Sequence, residues 1–237
     1  MTIKYEILKL YLMDISVLMS VYNNENTVGK AIDSILTQNF KNFEFLINDD
    51  CSTDATLNII DSYAKKDNRV KIFKNKENHG LTKSLNYLIT QASGSFIARQ
   101  DGDDISFMNR LTHQINFIKN ENIDACSSRA IIKKSKRIIP NYSYYLPPKL
   151  VIKAKNPFVH GTIMIKKSVL MKLGGYNEKF YYAQDYKLMK DLIENNYKVK
   201  IIKKPLYELN MENNISSFHR EEQEYYAKCV RKDITPA

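Results

Sequence analysis

Three aspartates, Asp101, Asp103 and Asp104, fall within four positions of the stretch FIARQDGDDIS (96–106). Like charges at that spacing repel, and folding gains nothing from crowding them. A divalent cation would change the balance. Carboxylate oxygens are hard ligands suited to Mg²⁺ or Mn²⁺, and such ions usually keep positions open for substrate phosphates. The plain alternative is a solvated turn that caps the next helix. Three more polar clusters bear on the choice: YNNE (22–25), DDCSTD (49–54) and NHG (78–80).

The elements that must position these clusters alternate in type. ISVLMSV (15–21), FEFLIN (43–48), VKIFKN (70–75) and SFIAR (95–99) read as strands. Between them, Val28, Ala31, Ile32, Ile35 and Leu36 follow a helical period, as do TDATLNIIDSYAKK (53–66) and Leu81, Leu85, Leu88, Ile89 and Ala92. Ser52 or Thr53 is the expected cap of the middle helix. Phe107, Leu111, Ile115 and Ile118 mark a helix after the aspartates. Strands alternating with helices predict a mostly parallel sheet covered by helices, with ligands bound outside the carboxyl ends of the strands. Each polar cluster follows a strand, so all four point to one crevice. The second half is less regular: PNYSYYLPP (140–148), a short strand TIMIK (162–166), a helix ending at Gly174 and Gly175, and a helix around 185–195.

Composition sets outer limits. The 237 residues are ample for a core, and 43% hydrophobic with 26% charged is ordinary for a globular protein. No run reaches the roughly 18 consecutive apolar residues of a membrane span. The opening MTIKYEILKLYLM is not expected to be a secretory signal, because Lys4, Glu6 and Lys9 break it. Cys51, Cys126 and Cys229 are odd in number and widely spaced, which predicts no disulfide framework or zinc site and suits a cytoplasmic protein. The net charge of +10, with KKSKR (133–137), KLVIKAK (149–155) and KVKIIKK (198–204), fits either a solvated surface or attraction to anionic partners such as sugar nucleotides or lipid. Nucleic acid is not expected, since no binding motif accompanies the charge.

Taken in order, DISVLMSVYNNE, AIDSILTQNF, NFEFLINDDCSTDAT, NHGLTKSLN and FIARQDGDDISFMNRLTHQ resemble the family 2 inverting glycosyltransferases, which use nucleotide-sugar donors and have the GT-A (Rossmann-like) fold. The resemblance spans residues 14 to 210. It implies one GT-A domain over 14–210, with 14–106 as the nucleotide-sugar half and 107–210 as the acceptor and base half. Residues 1–13 would be an N-terminal extension (a helix, or the product of an upstream start) and 211–237 a C-terminal tail or helix. It places Ser20, Tyr22, Asn23 and Glu25 near the nucleotide, with Asp49 or Asp50 accepting from uracil. Lys83 would face the base or diphosphate. Asp101 and Gly102 would lie by the ribose or the water shell of the metal, with Asp103 the direct ligand and Asp104 close behind.

An inverting transfer also needs a base on the face opposite the leaving group. The resemblance assigns this to Asp185 in YYAQDYKLMKDL, where Gln184 replaces the family glutamate. His160 and His219 would contact donor or acceptor, while His79 and His113 are read as structural. Other departures are Ser20 in place of a common proline and Cys51 in place of glycine. A side chain at position 51 argues against a positive φ there. The chain has no Trp and so cannot carry the QxxRW motif of processive synthases, which implies single-sugar transfer.

The activity so implied is transfer of one hexose or N-acetylhexosamine from a UDP-sugar, with Mn²⁺ or Mg²⁺, to an oligosaccharide or lipid-linked glycan acceptor of a bacterial surface polymer such as lipooligosaccharide or capsule. Peripheral contact with the anionic cytoplasmic face of the inner membrane would follow; oligomeric state stays open. Two other classes compete. A sugar-nucleotide-forming nucleotidyltransferase would open on a Gly-rich phosphate loop, yet the seven glycines are scattered. A non-catalytic nucleotide-sugar-binding module would have no need of Asp103 and Asp185 together.

Overall fold

A computed structural model describes residues 14–211 and 219–236. The first half is a run of β1 (Ile15–Val21), α1 (Val28–Leu36), β2 (Phe43–Asp49), α2 (Thr56–Ala64), β3 (Val70–Lys74), α3 (Leu81–Gln91) and β4 (Phe96–Arg99). β1 and β2 are apolar at successive positions because both their faces are covered. Leu18 and Leu46 point into a core shared with Leu85 and Leu88 of α3. Their neighbours Val17, Met19, Phe45 and Ile47 point the other way, into a core shared with Ile32 and Ile35 of α1. Each such fully buried side chain stabilises the fold by about 1.5–3 kcal/mol.

The second half comprises β5 (Ile105–Ser106), α4 (Arg110–Asn120), β6 (Ala125–Ile132), β7 (Ile138–Ile139), α5 (Pro148–Val151), β8 (Met164–Lys166), α6 (Lys167–Lys172), α7 (Gln184–Glu194), β9 (Val199–Leu209) and α8 (Arg220–Lys232). All the strands join one sheet in the order β3-β2-β1-β4-β8-β6-β9-β5, with β7 on β6. The first four are parallel, as the alternation of elements predicts. β8 runs antiparallel to β4 and β6, and β5 antiparallel to β9, so the sheet as a whole is mixed. β6 and β9 are strands that the periodicity did not reveal. They pair in parallel with register shifts around Arg129, which lies opposite Pro205. A bulge is where a strand tolerates proline.

Two local expectations need correction. α2 starts at Thr56, and neither Ser52 nor Thr53 caps it. Its first amides are taken up instead by Asp54 Oδ1, which accepts from Thr56 N (2.9 Å), and Glu25 Oε2, which accepts from Ala55 N (2.9 Å). Cys51 does have positive φ, at 66°. The left-handed bend lets Ser52 N reach back to Asp49 Oδ2 (3.2 Å), so the turn keeps its shape and the Cβ bears the strain. Helix α8 lies within the segment expected to be a tail or helix. The proposed extra helix over residues 1–12 lies outside the described residues. Among the described residues, no helix is long and apolar enough to cross a membrane.

One buried charge supports the sheet itself. Glu44, fully buried in β2, accepts from Ser16 Oγ, Ser93 N, Ser93 Oγ and Lys71 Nζ, all within 2.6–2.7 Å. Burial pushes its carboxyl upward, but these donors together outweigh burial and bring it down to about 2.

Candidate active site

The carboxyl ends of β1 and β2 are stitched together by their loops. Asn23, at φ 52°, donates its backbone N–H to Ser52 Oγ (3.0 Å), and its side-chain oxygen accepts from Thr53 N (2.9 Å). Glu25 caps α2 as above. Asn23 and Glu25 therefore hold the crevice wall. Tyr22 projects into solvent, and Ser20 lies partly exposed beside buried Asn48.

Asp49 and Asp50 are both buried but differ in what they bind. Asp50 is saturated: it accepts from Asn75 Nδ2 (2.6 Å), His79 N (2.9 Å) and Gly80 N (2.8 Å), tying β2 to the loop that opens α3. Asp49 Oδ1 has no hydrogen-bond partner among the described residues. A buried carboxylate oxygen left unpaired is costly, so Asp49 is the member of the pair with an acceptor to offer. Lys83 is exposed on the first turn of α3.

The aspartate loop follows β4 and rests on a buried polar network. Arg110 of α4 donates to Gln100 Oε1 (3.1 Å), Ser106 Oγ (2.8 Å), Gln114 Oε1 (2.9 Å) and Arg99 O (2.5 Å). Gln100 Nε2 in turn donates to the carbonyls of Asp101 (2.9 Å) and Asp104 (3.0 Å). The Arg99 guanidinium, 3% exposed, donates to Asp101 Oδ1 (2.5 Å), to Leu18 O (3.1 Å) and to the Gln100 carbonyl. The Tyr207 hydroxyl, brought in by β9, accepts from Asp101 N (3.1 Å). Gly102 packs where a Cβ would meet Val21 Cγ1 at 2.6 Å, so the loop comes down hard on the end of β1.

Asp101 is thus paired with Arg99, and among the described residues no Lys or Arg forms a direct ion pair with Asp103 or Asp104. Burial first, then the Asp101 charge, pushes Asp103 up to about 6. Burial, Asp101 and Asp103 push Asp104 up to about 9, although Asn210 N donates to its Oδ1 (2.6 Å). This is the electrostatic signature of carboxylates in want of a positive charge. The donor set, all hard oxygen, fits a divalent cation held by one or two protein carboxylates and completed by phosphate oxygens and water. Among the described residues, no three His, Cys, Asp or Glu side chains form a ready-made cage.

The other wall comes from the second half. His160 sits in a 3-10 turn just before β8, and its Nε2 lies 3.0 Å from Tyr176 Oη. Burial and the Arg99 charge lower the His160 pKa, while Asp185 and Asp101 act against them. Burial raises Tyr176, which senses the same three charges. Arg99, Asp101 and Asp185 therefore act on one space from both sides. Asp185 stands on the first turn of α7, where a carboxylate is favoured by the helix dipole. Asn156 Nδ2 donates to its Oδ2 (2.8 Å). Gln184 is buried beside it, after Ala183 at φ 54°. Gly161 completes the wall. A Cβ there would lie 2.6 Å from Asp101 Oδ2 and would press on the Tyr207 hydroxyl. His219 stacks on Tyr182 (5.3 Å between centroids) three residues before Asp185 and contacts Glu222. His79 and His113 engage their own loops, His79 through its backbone N–H to Asp50 and His113 through Nδ1 to Asn109 O (2.9 Å).

Sequence reasoning missed Arg99, Arg110, Gln100, Tyr207, Asn156 and Tyr176. Arg99, Gln100 and Arg110 had a local signal, since cationic and amide side chains interrupt apolar patterns immediately beside DGDD. Tyr207 and Asn156 had none, because their relevance depends on long-range pairing.

Comparison with known proteins agrees with this geometry. The sequence profile of glycosyl transferase family 2 matches residues 16–174. EpsE of Bacillus subtilis, a protein assigned as a glycosyltransferase, is 39% identical over 169 residues, covering 68% of this chain and 59% of EpsE; the chain thus spans well under two thirds of that relative. The O-antigen biosynthesis glycosyltransferase WbnJ of Escherichia coli is 34% identical, over 73% of this chain and 69% of WbnJ. Residues 1–349 of Staphylococcus aureus TarS, solved with UDP, superpose with a TM-score of 0.74 at 22% identity, covering 93% of this chain and 70% of that one, a likeness of fold. With a profile match over most of its length, the chain belongs to glycosyl transferase family 2.

Proposed function

We propose that the chain is a metal-dependent inverting glycosyltransferase that moves a single hexose or N-acetylhexosamine from a UDP-sugar to a glycan acceptor of a bacterial surface polymer, working beside the membrane that carries lipid-linked acceptors. The observation that carries this reading is the aspartate loop, in which burial and neighbouring carboxylates push Asp103 and Asp104 upward while Asp101 of the same loop and Asp185 both act on His160. The O-antigen role of WbnJ and the UDP in the TarS structure support the donor and acceptor classes.

In this mechanism Asp49 Oδ1 accepts from the uracil imide, while Asp50 keeps the β2 and α3 loops in place. Asp103, with Asp104 behind it, would hold Mn²⁺ or Mg²⁺, which as a Lewis acid stabilises a departing diphosphate. Asp101, oriented by Arg99 and Tyr207, faces the ribose side. Asp185, with one oxygen fixed by Asn156, takes the proton of the acceptor hydroxyl at its other oxygen as that hydroxyl attacks the anomeric carbon. Attack from the face opposite the diphosphate inverts the configuration. His160, held on Tyr176, lines the space between donor and base.

UDP release from UDP-sugars with Mn²⁺, measured beside UDP binding, tests the assignment. Asp103→Ala and Asp185→Ala should each lower turnover by at least about 100-fold. Asp103→Ala alone should weaken Mn²⁺-dependent UDP binding. Near-wild-type turnover in either variant, or unchanged Mn²⁺-dependent UDP binding in the first, would refute the roles.

A further inference from the structure

Residues 125–177 contain eleven Lys and Arg and no Asp or Glu, so the positive charge of the chain is concentrated in one stretch. Within it, residues 142–155 turn apolar side chains outward. Tyr142 is 82% exposed, Tyr145 69%, Leu146 56% and Leu150 62%. Lys149, Lys153 and Lys155 are exposed among them. The backbone beneath is firmly seated, with Val151 and Ile152 buried and Tyr186 Oη donating to Ile152 O (2.6 Å). Arg129 Nε donates to Pro140 O (3.1 Å), and its guanidinium lies over the Tyr144 ring. A groove of about 530 Å³ at the edge of the patch adds Tyr197, Lys198 and Lys200 to Pro147, Pro148 and Lys149, with Glu121 bound to Lys200.

We propose that residues 142–155 form a docking surface for an anionic lipid bilayer. Exposed tyrosines and leucines in one short stretch with exposed lysines match the polar–apolar boundary of a membrane, where aromatic rings settle at headgroup level and basic side chains meet lipid phosphates. A run of 53 residues without one acidic side chain suits a negatively charged plane better than a protein surface of mixed sign. The stretch also ends one residue before Asn156, the partner of Asp185. A bilayer held there would bring a lipid-linked hydroxyl to the base side of the site. This deepens, and rests on, the proposed transfer to a membrane-borne acceptor.

The test is sedimentation of the full chain with phosphatidylcholine vesicles made with and without one-third phosphatidylglycerol, at low and high salt. Mn²⁺-dependent UDP binding is measured on the same samples. The wild type should bind the anionic vesicles and be released by salt. Lys149→Gln/Lys153→Gln/Lys155→Gln should lower partitioning by on the order of a hundred-fold. Tyr142→Ser/Tyr145→Ser/Leu150→Ser should lower it by at least about ten-fold. Both variants should bind UDP as the wild type does. Equal binding to neutral vesicles, no binding, or variants that partition like the wild type would overturn the proposal. So would a wild-type dimer that the Tyr/Leu variant dissolves with no loss of vesicle binding, which would make the patch a protein interface. Loss of UDP binding by the wild type itself would count against the donor reading and leave the vesicle result to stand or fall alone.

Discussion

Asp103→Asn should make the metal-free protein more stable while disabling it. The Asp103 carboxyl is pushed from 3.8 up to about 6, first by burial and then by Asp101. Holding it ionised in the folded state thus costs about 3 kcal/mol above pH 7, from roughly 1.4 kcal/mol per unit. The raised value means that the folded state binds the proton more tightly than the unfolded chain. Stability is therefore greatest below pH 4 for this group, declines as pH rises from about 4 to about 6, and stays reduced above that. Asparagine removes the charge and keeps the size. In a chelator at pH 7.5 the variant should melt about 6–12 °C higher, since a domain of this length shifts about 2–4 °C per kcal/mol. It should also lack the decline between pH 4 and 6. Addition of Mn²⁺ with UDP should raise the melting point of the wild type, as any ligand of the folded state must, and leave the variant unmoved. Thermal denaturation across pH, with and without the ligands, reads all three effects. A variant no more stable than the wild type in chelator, with the same pH slope, would refute the claim that this carboxylate is held against its own electrostatics for a cation.

Three further changes follow from particular contacts. Glu44→Gln should cost about 3 kcal/mol at neutral pH, because the donors from Lys71, Ser16 and Ser93 lower the carboxyl from 4.5 to about 2 against the opposing effect of burial. That contribution is present above pH 4.5 and lost as pH falls towards 2, so acid unfolding monitored by circular dichroism should show it in the wild type only. Cys51→Gly should stabilise by roughly 1 kcal/mol in urea titrations, since only the Cβ is strained at φ 66° and the Sγ contact to Lys76 O is a weak 3.5 Å. Gly161→Ala should lower UDP release by at least about ten-fold and destabilise by about 1–3 kcal/mol, because its Cβ would displace Asp101 or Tyr207; a fully active, equally stable variant would show that Asp101 need not be fixed.

The parallel half was legible because its strands are buried on both faces and its helices on one, and both conditions print a period on the sequence. β1, β2 and α1 are found where the pattern puts them, and the polar clusters lie at their ends. β6 and β9 were illegible for a physical reason. β6 reads ACSSRAII, with Ser127 and Ser128 buried, and β9 reads VKIIKKPLYEL, with lysines outward and Pro205 at a bulge, so neither alternates cleanly. Cys51 was misjudged because the expected cost of a Cβ at positive φ is only about 1–2 kcal/mol, which a well-bonded turn absorbs. The different surroundings of Asp49 and Asp50 could not be read either: adjacent aspartates differ in the partners that Asn75, His79 and Gly80 supply to Asp50 from the next loop.

The same long-range pairing explains why the aspartates are tolerable at all. Two guanidiniums, Arg99 and Arg110, are buried within the network under the loop, and burial lowers Arg110 only to about 10, so it stays charged at neutral pH. Set against Asp101, Asp103 and Asp104, they leave the cluster one negative charge in excess when all three are ionised. That residue of charge sits on Asp103 and Asp104, since Arg99 is bound to Asp101. A divalent cation would turn the excess into a net charge of plus one, aimed at the crevice. The sign would then suit a diphosphate, and only while the metal is present. Neutralising Asp101 or removing Arg99 would each upset this balance in opposite directions, so Arg99→Met should leave Asp101 without its ion-pair partner and weaken the loop. Arg110→Met would instead take the donor from Gln114 Oε1 and the Arg99 carbonyl in the core and is expected to cost more in stability, because unpaired buried polar groups cost about 1–3 kcal/mol each.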